Sequence, residues 1–520
     1  MTVPSESSEN NFTLGIDGFS FADLFDAIKL KELAETFYAE VGQQDEILHT
    51  ALTKYIAARG QGYERKVASK ILTDSAPFLS DFIARLFKID RERSELEKNV
   101  LVQNPVWKYK FFVQRRAAKK YKPEQLAELN ENQLWIALTE LRGNAFDETL
   151  VRDEELSIAE MTCRLLEAEE VLSKDGEITP SIADTVAKIN SAYELLKDAA
   201  FGKLYSQYVL EMDARGDLLT VQAALQLVEA WSAKAFASKS KKWYSFKVPH
   251  ALDYQNLVHL IHPEPHLHNI MRGGEDILRR RDGFKLTDDR GTMRDALYEI
   301  DYCMICHERE KDACSTGLRE PDGTAKRNPL GIKTEGCPLD EKISEMHLLK
   351  KQGDSIGSLA LVTIDNPMCA GTGHRICNDC MKGCIFQKQE PVNIPLAETA
   401  SLTDVLKLPY GFEIYSLLTR WNPLNAKRPY ALPYNGKNVM VVGLGPAGYT
   451  LSHYLLNEGF GVIGIDGLKI EPLPTDWTGN HGKSCPKPIK GISEITEELD
   501  ERILSGFGGV SEYGITVRWD

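Results

Sequence analysis

Eight of the chain's ten cysteines lie between Cys303 and Cys384, and no other feature restricts the fold as tightly. Their order is Cys303-x2-Cys306-x7-Cys314, then Cys337-Pro338, then Cys369-x7-Cys377-x2-Cys380-x3-Cys384. Thiols at this density either cross-link or ligate, and both tie remote segments to one centre. The opening segment Met1–Asn10 is polar and acidic, with neither the basic nor the apolar region of a secretion signal. No apolar run approaches the roughly 20 residues that span a bilayer. The expected location is cytoplasmic, where thiols stay reduced and clustered cysteines bind metal more often than they pair.

Four chemistries compete for these thiols: two [4Fe–4S] clusters, two structural zinc sites, c-type haem on Cys303-Met-Ile-Cys306-His307, and disulfides. Haem attachment normally requires export, and the expected compartment disfavours disulfides. Zinc modules tend to use two Cys-x2-Cys pairs per ion, whereas here two pairs stand among four isolated thiols. A pair with a third cysteine nearby, a distant fourth and one cysteine followed by proline is the iron–sulfur style of ligation. Iron–sulfur is the expectation, and zinc is its competitor.

Downstream, Asn438-Val-Met-Val-Val442 reads as a strand that ends in Gly443-Leu-Gly445-Pro446-Ala447-Gly448. A helix is expected over Ala447–Glu458, then a strand over Phe460–Ile465 ending at Asp466. Each part has a task in holding a dinucleotide. Gly443 allows the tight turn, Gly445 lets backbone approach a pyrophosphate, and Gly448 lets helix pack on strand. The helix N-terminus, at Pro446 and Ala447, offers free N–H groups to the phosphates. Asp466 can accept from ribose hydroxyls. A flavin beside these cysteines would give an electron path, which redox-inert zinc would not.

The whole chain has 520 residues, 42% hydrophobic and 27% charged, enough for several cores. A net charge of −14 argues against a general nucleic-acid binder. Residues 1–18 read as a disordered lead-in. From Ser20, an expected N-cap with Asp23 in the first turn, Phe21, Leu24, Phe25 and Ile28 recur with helical spacing. Similar spacing at Ile158, Met161 and Leu165, and at Ile189, Tyr193 and Leu196, extends an all-α domain over 19–235. Cys163 reads as a small core residue. The basic, aromatic stretch Lys108–Lys122 reads as an amphipathic helix rather than a docking surface. Residues 236–291 read as a connector containing His250, His259, His262, His266 and His268. Prolines 263 and 265 break any regular face there, so metal binding is not expected. A short helix from Thr292 leads into Cys303.

Residues 292–520 resemble the small (beta) subunit of bacterial glutamate synthase and the N-terminal part of dihydropyrimidine dehydrogenase, within the pyridine nucleotide-disulfide oxidoreductase superfamily. The resemblance is carried by Ala296-Leu-Tyr-Glu-Ile-Asp-Tyr-Cys303-Met-Ile-Cys306, Gly336-Cys337-Pro338-Leu339, Gly373-His-Arg-Ile-Cys377, Glu390-Pro-Val-Asn-Ile394 and the Gly443–Gly448 loop. It implies a crossed ligand scheme, with Cys303, Cys306, Cys314 and Cys384 on one cluster. Cys337, Cys369, Cys377 and Cys380 would hold the other. It also implies FAD at Gly443–Gly448 and reduction by NAD(P)H bound outside this chain. The sequence departs from that family in a longer Cys306–Cys314 gap, a long insert before Cys337, and Asp466 in place of glutamate.

The expected architecture is multidomain: an all-α N-terminal domain, an α-helical two-[4Fe–4S] domain over 292–408, and a linker over 409–435. The first part of an α/β Rossmann-like FAD-binding domain follows over 436–520. The expected function is an oxidoreductase module passing electrons from a nicotinamide dinucleotide to a protein partner or further domain, as a fragment of a longer enzyme. No general acid or base is evident, and Cys485 lacks a partner cysteine for thiol redox work. The alternative is a non-enzymatic interaction protein with two zinc sites and a degenerate nucleotide-binding domain.

Overall fold

A computed structural model describes residues 12–146, 153–174, 176–258, 260–275, 291–309, 311–467, 474–479 and 484–495. It is mostly helical and divides into two compact units, one of residues 1–100 with 250–520 and one of residues 101–249. This differs from the single helical domain expected over 19–235. The first helices belong with the cysteine-bearing half of the chain.

The first unit begins with a capped turn. Ser20 is the N-cap residue and its N–H donates to Asp23 Oδ2 at 2.7 Å, but its side chain makes no cap bond to the backbone, and the turn is a short 3-10 helix over Phe21–Phe25. Helix α1 (Ala27–Gln44) starts afresh, with Asp26 accepting from Ile28 and Lys29 N–H. The restart changes the helical phase, so Phe21 and Leu24 are buried while Ile28 is 64% exposed. Helices α2 (Glu46–Ala57) and α3 (Arg65–Phe87) follow. The buried face of α3 explains the division of the chain. Phe82 meets Phe37 edge-on at 5.6 Å and stacks on Trp421 at 5.8 Å. Tyr38 Oη donates to Pro423 O at 2.8 Å, and Arg420 Nε to Leu24 O at 3.0 Å.

The centre of this unit is formed by α4 (Ile343–Lys351), α5 (Ser355–Asp365), α6 (Ile394–Leu406) and α7 (Gly411–Arg420). A buried Lys350–Asp404 ion pair joins α4 to α6. Residues 411–420 were expected to be linker, yet α7 is buried along its whole length. Its spacing is amphipathic, with Ile414, Tyr415, Leu417 and Leu418 on one side and Glu413, Ser416 and Arg420 on the other, but the polar side is buried as well. After it, β3 (Asn438–Val442), α8 (Pro446–Asn457) and β4 (Gly461–Ile465) form a parallel strand–helix–strand unit, with Val442 opposite Ile465. Met440, Val442, Ile463 and Ile465 lie exposed on one face of that sheet. Strands β1 (Leu260–Ile261) and β2 (Arg272–Gly273) form a small antiparallel pair in the former connector. The segment Ile515-Thr-Val-Arg-Trp519, whose sequence reads as the start of a strand, lies outside the described residues.

The second unit is helical throughout its described residues. Ile158, Met161 and Leu165 are buried as their spacing requires. In the Lys108–Lys122 stretch, Tyr109, Phe112 and Val113 are core. Arg116 and Lys120 pair with Glu229, which is 1% exposed, and Arg116 also pairs with Glu169. The stretch is an amphipathic helix with its cations engaged. Cys163 is partly buried against Pro105, and burial pushes its thiol up to about 11. No described helix is long and apolar enough to cross a membrane.

Candidate functional site

The helix Met293–Tyr302, capped by Thr292 and Asp295, ends on Cys303, whose N–H donates to Glu299 O at 3.0 Å. The chain then folds into a knuckle. Ile305 has φ 47°, a left-handed conformation that is a genuine outlier for a β-branched residue. That turn aims Ile305 N–H at Cys303 Sγ, at 3.4 Å. Elsewhere, backbone N–H groups of Glu341 and Leu339 near Cys337, of Asp379 near Cys377, and of Phe386 and Val392 near Cys384 offset part of the rise that burial gives those thiols. Such donors stabilise a thiolate far more than a neutral thiol.

The crossed scheme that the resemblance implies puts Cys303, Cys306, Cys314 and Cys384 in a first set and Cys337, Cys369, Cys377 and Cys380 in a second. Cys314 lies within electrostatic reach of Cys303, Cys306 and Cys384. Cys380 lies within reach of Cys337 and Cys377, and it faces Glu341 and Glu398. Cys369 is fully buried against the same two carboxyls and touches the Tyr415 hydroxyl, with no thiol among its described neighbours.

The insert between Cys314 and Cys337 does not separate the sets. It makes its own hydrogen-bonded excursion, with Leu318 N–H on Thr334 O at 2.9 Å and two tight turns beyond. Its feet close on glycines at positive φ. A Cβ on Gly336 would lie 2.4 Å from Gly317 N.

Burial pushes the Cys303 and Cys337 thiols up to about 12 and raises Cys314, Cys369 and Cys380 also. Neighbouring acids act the same way, Asp312 on the first set and Glu341 with Glu398 on the second. Glu341 is itself pushed up to about 7 by burial, with Asp365 close by. Such thiols stay protonated at neutral pH unless a cation compensates them. Among the described residues, no three His, Cys, Asp or Glu side chains are arranged to hold a metal ion as they stand.

Three features fit a four-iron cluster in each set. The donors are all thiols, the implied sets are fours, and N–H groups already favour the charged form of several sulfurs. Beside the first set, Tyr302 Oη and His307 Nδ1 are buried with no hydrogen-bond partner among the described residues. The ligands of a cluster bind different irons, so they stand further apart than four ligands of one ion. Of the histidine group, His250 lies 3.8 Å from Glu390 and His262, His266 and His268 are exposed. His259 lies outside the described residues.

The glycine loop has the expected local geometry. Gly443 sits at φ +92° and its N–H donates to Ile465 O at 2.6 Å. A Cβ on Gly448 would lie 1.7 Å from Gly443 O, so helix and strand pack as closely as glycine allows. A Cβ on Gly445 would meet nothing within 4 Å, which leaves room for a phosphate. Pro446 and Ala447 open α8, and Asp466 Oδ2 accepts from Leu444 N–H at 2.6 Å. The loop fits a dinucleotide through backbone approach and a free helix N-terminus. Cys485 is exposed.

The N–H donors to sulfur, the Glu341–Glu398 pair and Tyr415 were not anticipated from sequence. Only the Cys-x2-Cys knuckle at 303–306 carried a sequence signal for one of them.

Residues 14–88 match the model described as the RP005 N-terminal alpha-helical domain. Over 153 residues, 29% of this chain, the sequence is 58% identical to uncharacterized protein RP006 of Rickettsia prowazekii (strain Madrid E). That match spans 20% of the length of RP006. Over 343 residues, 63% of this chain, it is 25% identical to uncharacterized protein RP005 of the same organism, covering 95% of that protein. No solved structure matches.

Proposed function

We propose that this chain is an electron-transfer module of an FAD- and iron–sulfur-dependent oxidoreductase, similar in plan to the glutamate synthase small subunit. The observation that carries the reading is the gathering of eight thiols, four of them buried, with Cys314 within electrostatic reach of Cys303, Cys306 and Cys384, and Cys380 within reach of Cys337 and Cys377. In this reading Cys303, Cys306, Cys314 and Cys384 hold one [4Fe–4S] cluster, and Cys337, Cys369, Cys377 and Cys380 hold the other. Gly443, Gly445, Pro446, Ala447 and Gly448 cradle the pyrophosphate of FAD, and Asp466 faces its ribose. Met440, Val442, Ile463 and Ile465 support membership of a larger Rossmann-like domain, since parallel sheets are ordinarily covered on both faces.

A bound flavin supplies the conversion of a hydride into single electrons, and iron–sulfur clusters carry those electrons onward. The chain's own contribution is to exclude water and to set electrostatics. The hydrogen bond from Ile305 stabilises the Cys303 sulfur, and backbone N–H groups of Leu339, Asp379 and Phe386 favour the charged form of Cys337, Cys377 and Cys384. Burial raises both the Glu341 and the Glu398 carboxyl, and Asn366 Nδ2 donates to Glu398 at 2.7 Å, which lessens the negative charge beside the second set. NAD(P)H would bind outside this chain, and a protein partner or further domain would accept the electrons.

The test is an absorption spectrum of anaerobically purified protein. Broad visible absorbance bleached by dithionite, with flavin bands on adding FAD, is the expected result. A colourless protein that contains zinc and no iron would overturn the reading in favour of a zinc-stapled scaffold.

A further inference from the structure

The dinucleotide loop and the second cysteine set meet through one side chain. Tyr449 follows Gly448 in the first turn of α8 and is 7% exposed. Its ring lies against Gly371, two residues beyond Cys369, in the first turn of the helix Cys369–Ile376. A Cβ on Gly371 would lie 2.6 Å from the Tyr449 hydroxyl and 3.0 Å from Cζ, so the contact requires glycine there. The rest of α8 is pinned. Tyr454 Oη donates to Asp365 O at 3.2 Å, and Asn457 Nδ2 donates to Thr419 O at 3.1 Å. A shift of the first turn therefore bears on the backbone beside Cys369 and is not absorbed by moving the whole helix.

We propose that Tyr449 is a positioning residue that couples the two sites, so that a dinucleotide in the Gly443–Gly448 loop and iron on Cys337, Cys369, Cys377 and Cys380 change each other's affinity. The inference rests on the function proposed above and adds a linkage between its two sites. The physical basis is close packing. A turn held against a glycine with no spare room transmits a displacement instead of damping it. Linkage makes the effect reciprocal: the factor by which iron changes FAD affinity equals the factor by which FAD changes iron affinity.

The experiment measures FAD dissociation by flavin fluorescence, on the full chain without metal and after reconstitution with ferrous iron and sulfide. In the wild type the two constants differ by about five-fold or more, the lower range of measured couplings. Retention of iron against a chelator changes in the same direction when FAD is present. Tyr449→Ala binds both groups, but its two FAD constants become equal. Tyr449→Phe keeps the ring and the coupling. Gly371→Ala loses the coupling. Equal constants in the wild type, or a ratio unchanged in Tyr449→Ala, would overturn the inference while leaving the proposed function standing. A wild type that takes up neither iron nor FAD overturns the function and this linkage together.

Discussion

The N–H of Cys337 donates to the carbonyl of Cys314 at 2.8 Å, so a cysteine of the second set is hydrogen-bonded to one of the first. The two sets share backbone, and the long stretch between them in sequence is an excursion that returns to its starting point. The excursion carries its own hydrogen bonds, which predicts that it is dispensable for ligation.

Replacing residues 319–333 by Asn-Gly uses the Leu318–Thr334 backbone pair as the base of a tight hairpin turn. Iron content per chain should not change, and stability should shift by less than about 1 kcal/mol. Loss of iron, measured colorimetrically after anaerobic reconstitution, would show that the excursion shapes the ligand set.

Cys303→Ser with Cys306→Ser removes two donors of the first set and none of the second. About half the iron should be lost, because each cluster uses four thiolates and only one cluster is affected. Unchanged iron would exclude both residues as ligands. Complete loss would mean that the sets do not load independently.

The two inner glycines of the loop should behave differently. Gly448→Ala places a methyl 1.7 Å from Gly443 O and should destabilise the fold by about 1–3 kcal/mol in denaturant titration. Gly445→Ala meets no protein atom, so its stability should stay within about 0.5 kcal/mol of wild type. The same methyl occupies the space a pyrophosphate needs, so FAD affinity should fall about tenfold or more, or about 1.4 kcal/mol. Equal FAD affinity in Gly445→Ala and wild type would remove the loop from the site.

His347 on α4 is fully buried, and neither ring nitrogen has a partner among the described residues. Burial lowers it from 6.5 to about 4. Between those values the unfolded chain takes up a proton that the folded chain refuses. Stability therefore falls as pH drops through that window, by up to about 3 kcal/mol from this group. His347→Leu should reduce the dependence of unfolding free energy on pH between 6.5 and 4. At pH 8 it should leave stability equal or higher, since two unsatisfied polar atoms are removed. An unchanged pH profile would mean that the ring is charged or solvated in the fold.

What could be read from sequence was local. The glycine loop is a string of backbone requirements at adjacent positions, and strand, helix and acid all lie where Gly443 to Asp466 indicate. Ser20 was a correct cap for a turn that Asp26 then ends, because two caps so close in sequence compete and spacing does not choose between them. Helix α7 was legible, although the stretch was expected to be linker: Ile414, Tyr415, Leu417 and Leu418 recur on one helical face opposite Glu413, Ser416 and Arg420. The affiliation of residues 12–100 was hidden. It depends on Phe82 reaching Trp421, a contact between residues far apart in the chain. The proposed thiol sets depend on the same kind of non-local packing, and spacing alone left their pairing open.

Iron, acid-labile sulfide and zinc per chain, measured on protein purified without oxygen, test the central claim most directly. Two clusters of four predict about eight iron and about eight sulfide per chain, with zinc absent. About two zinc per chain with no sulfide would contradict the account, and the eight thiols would then be structural staples with no electrons to carry.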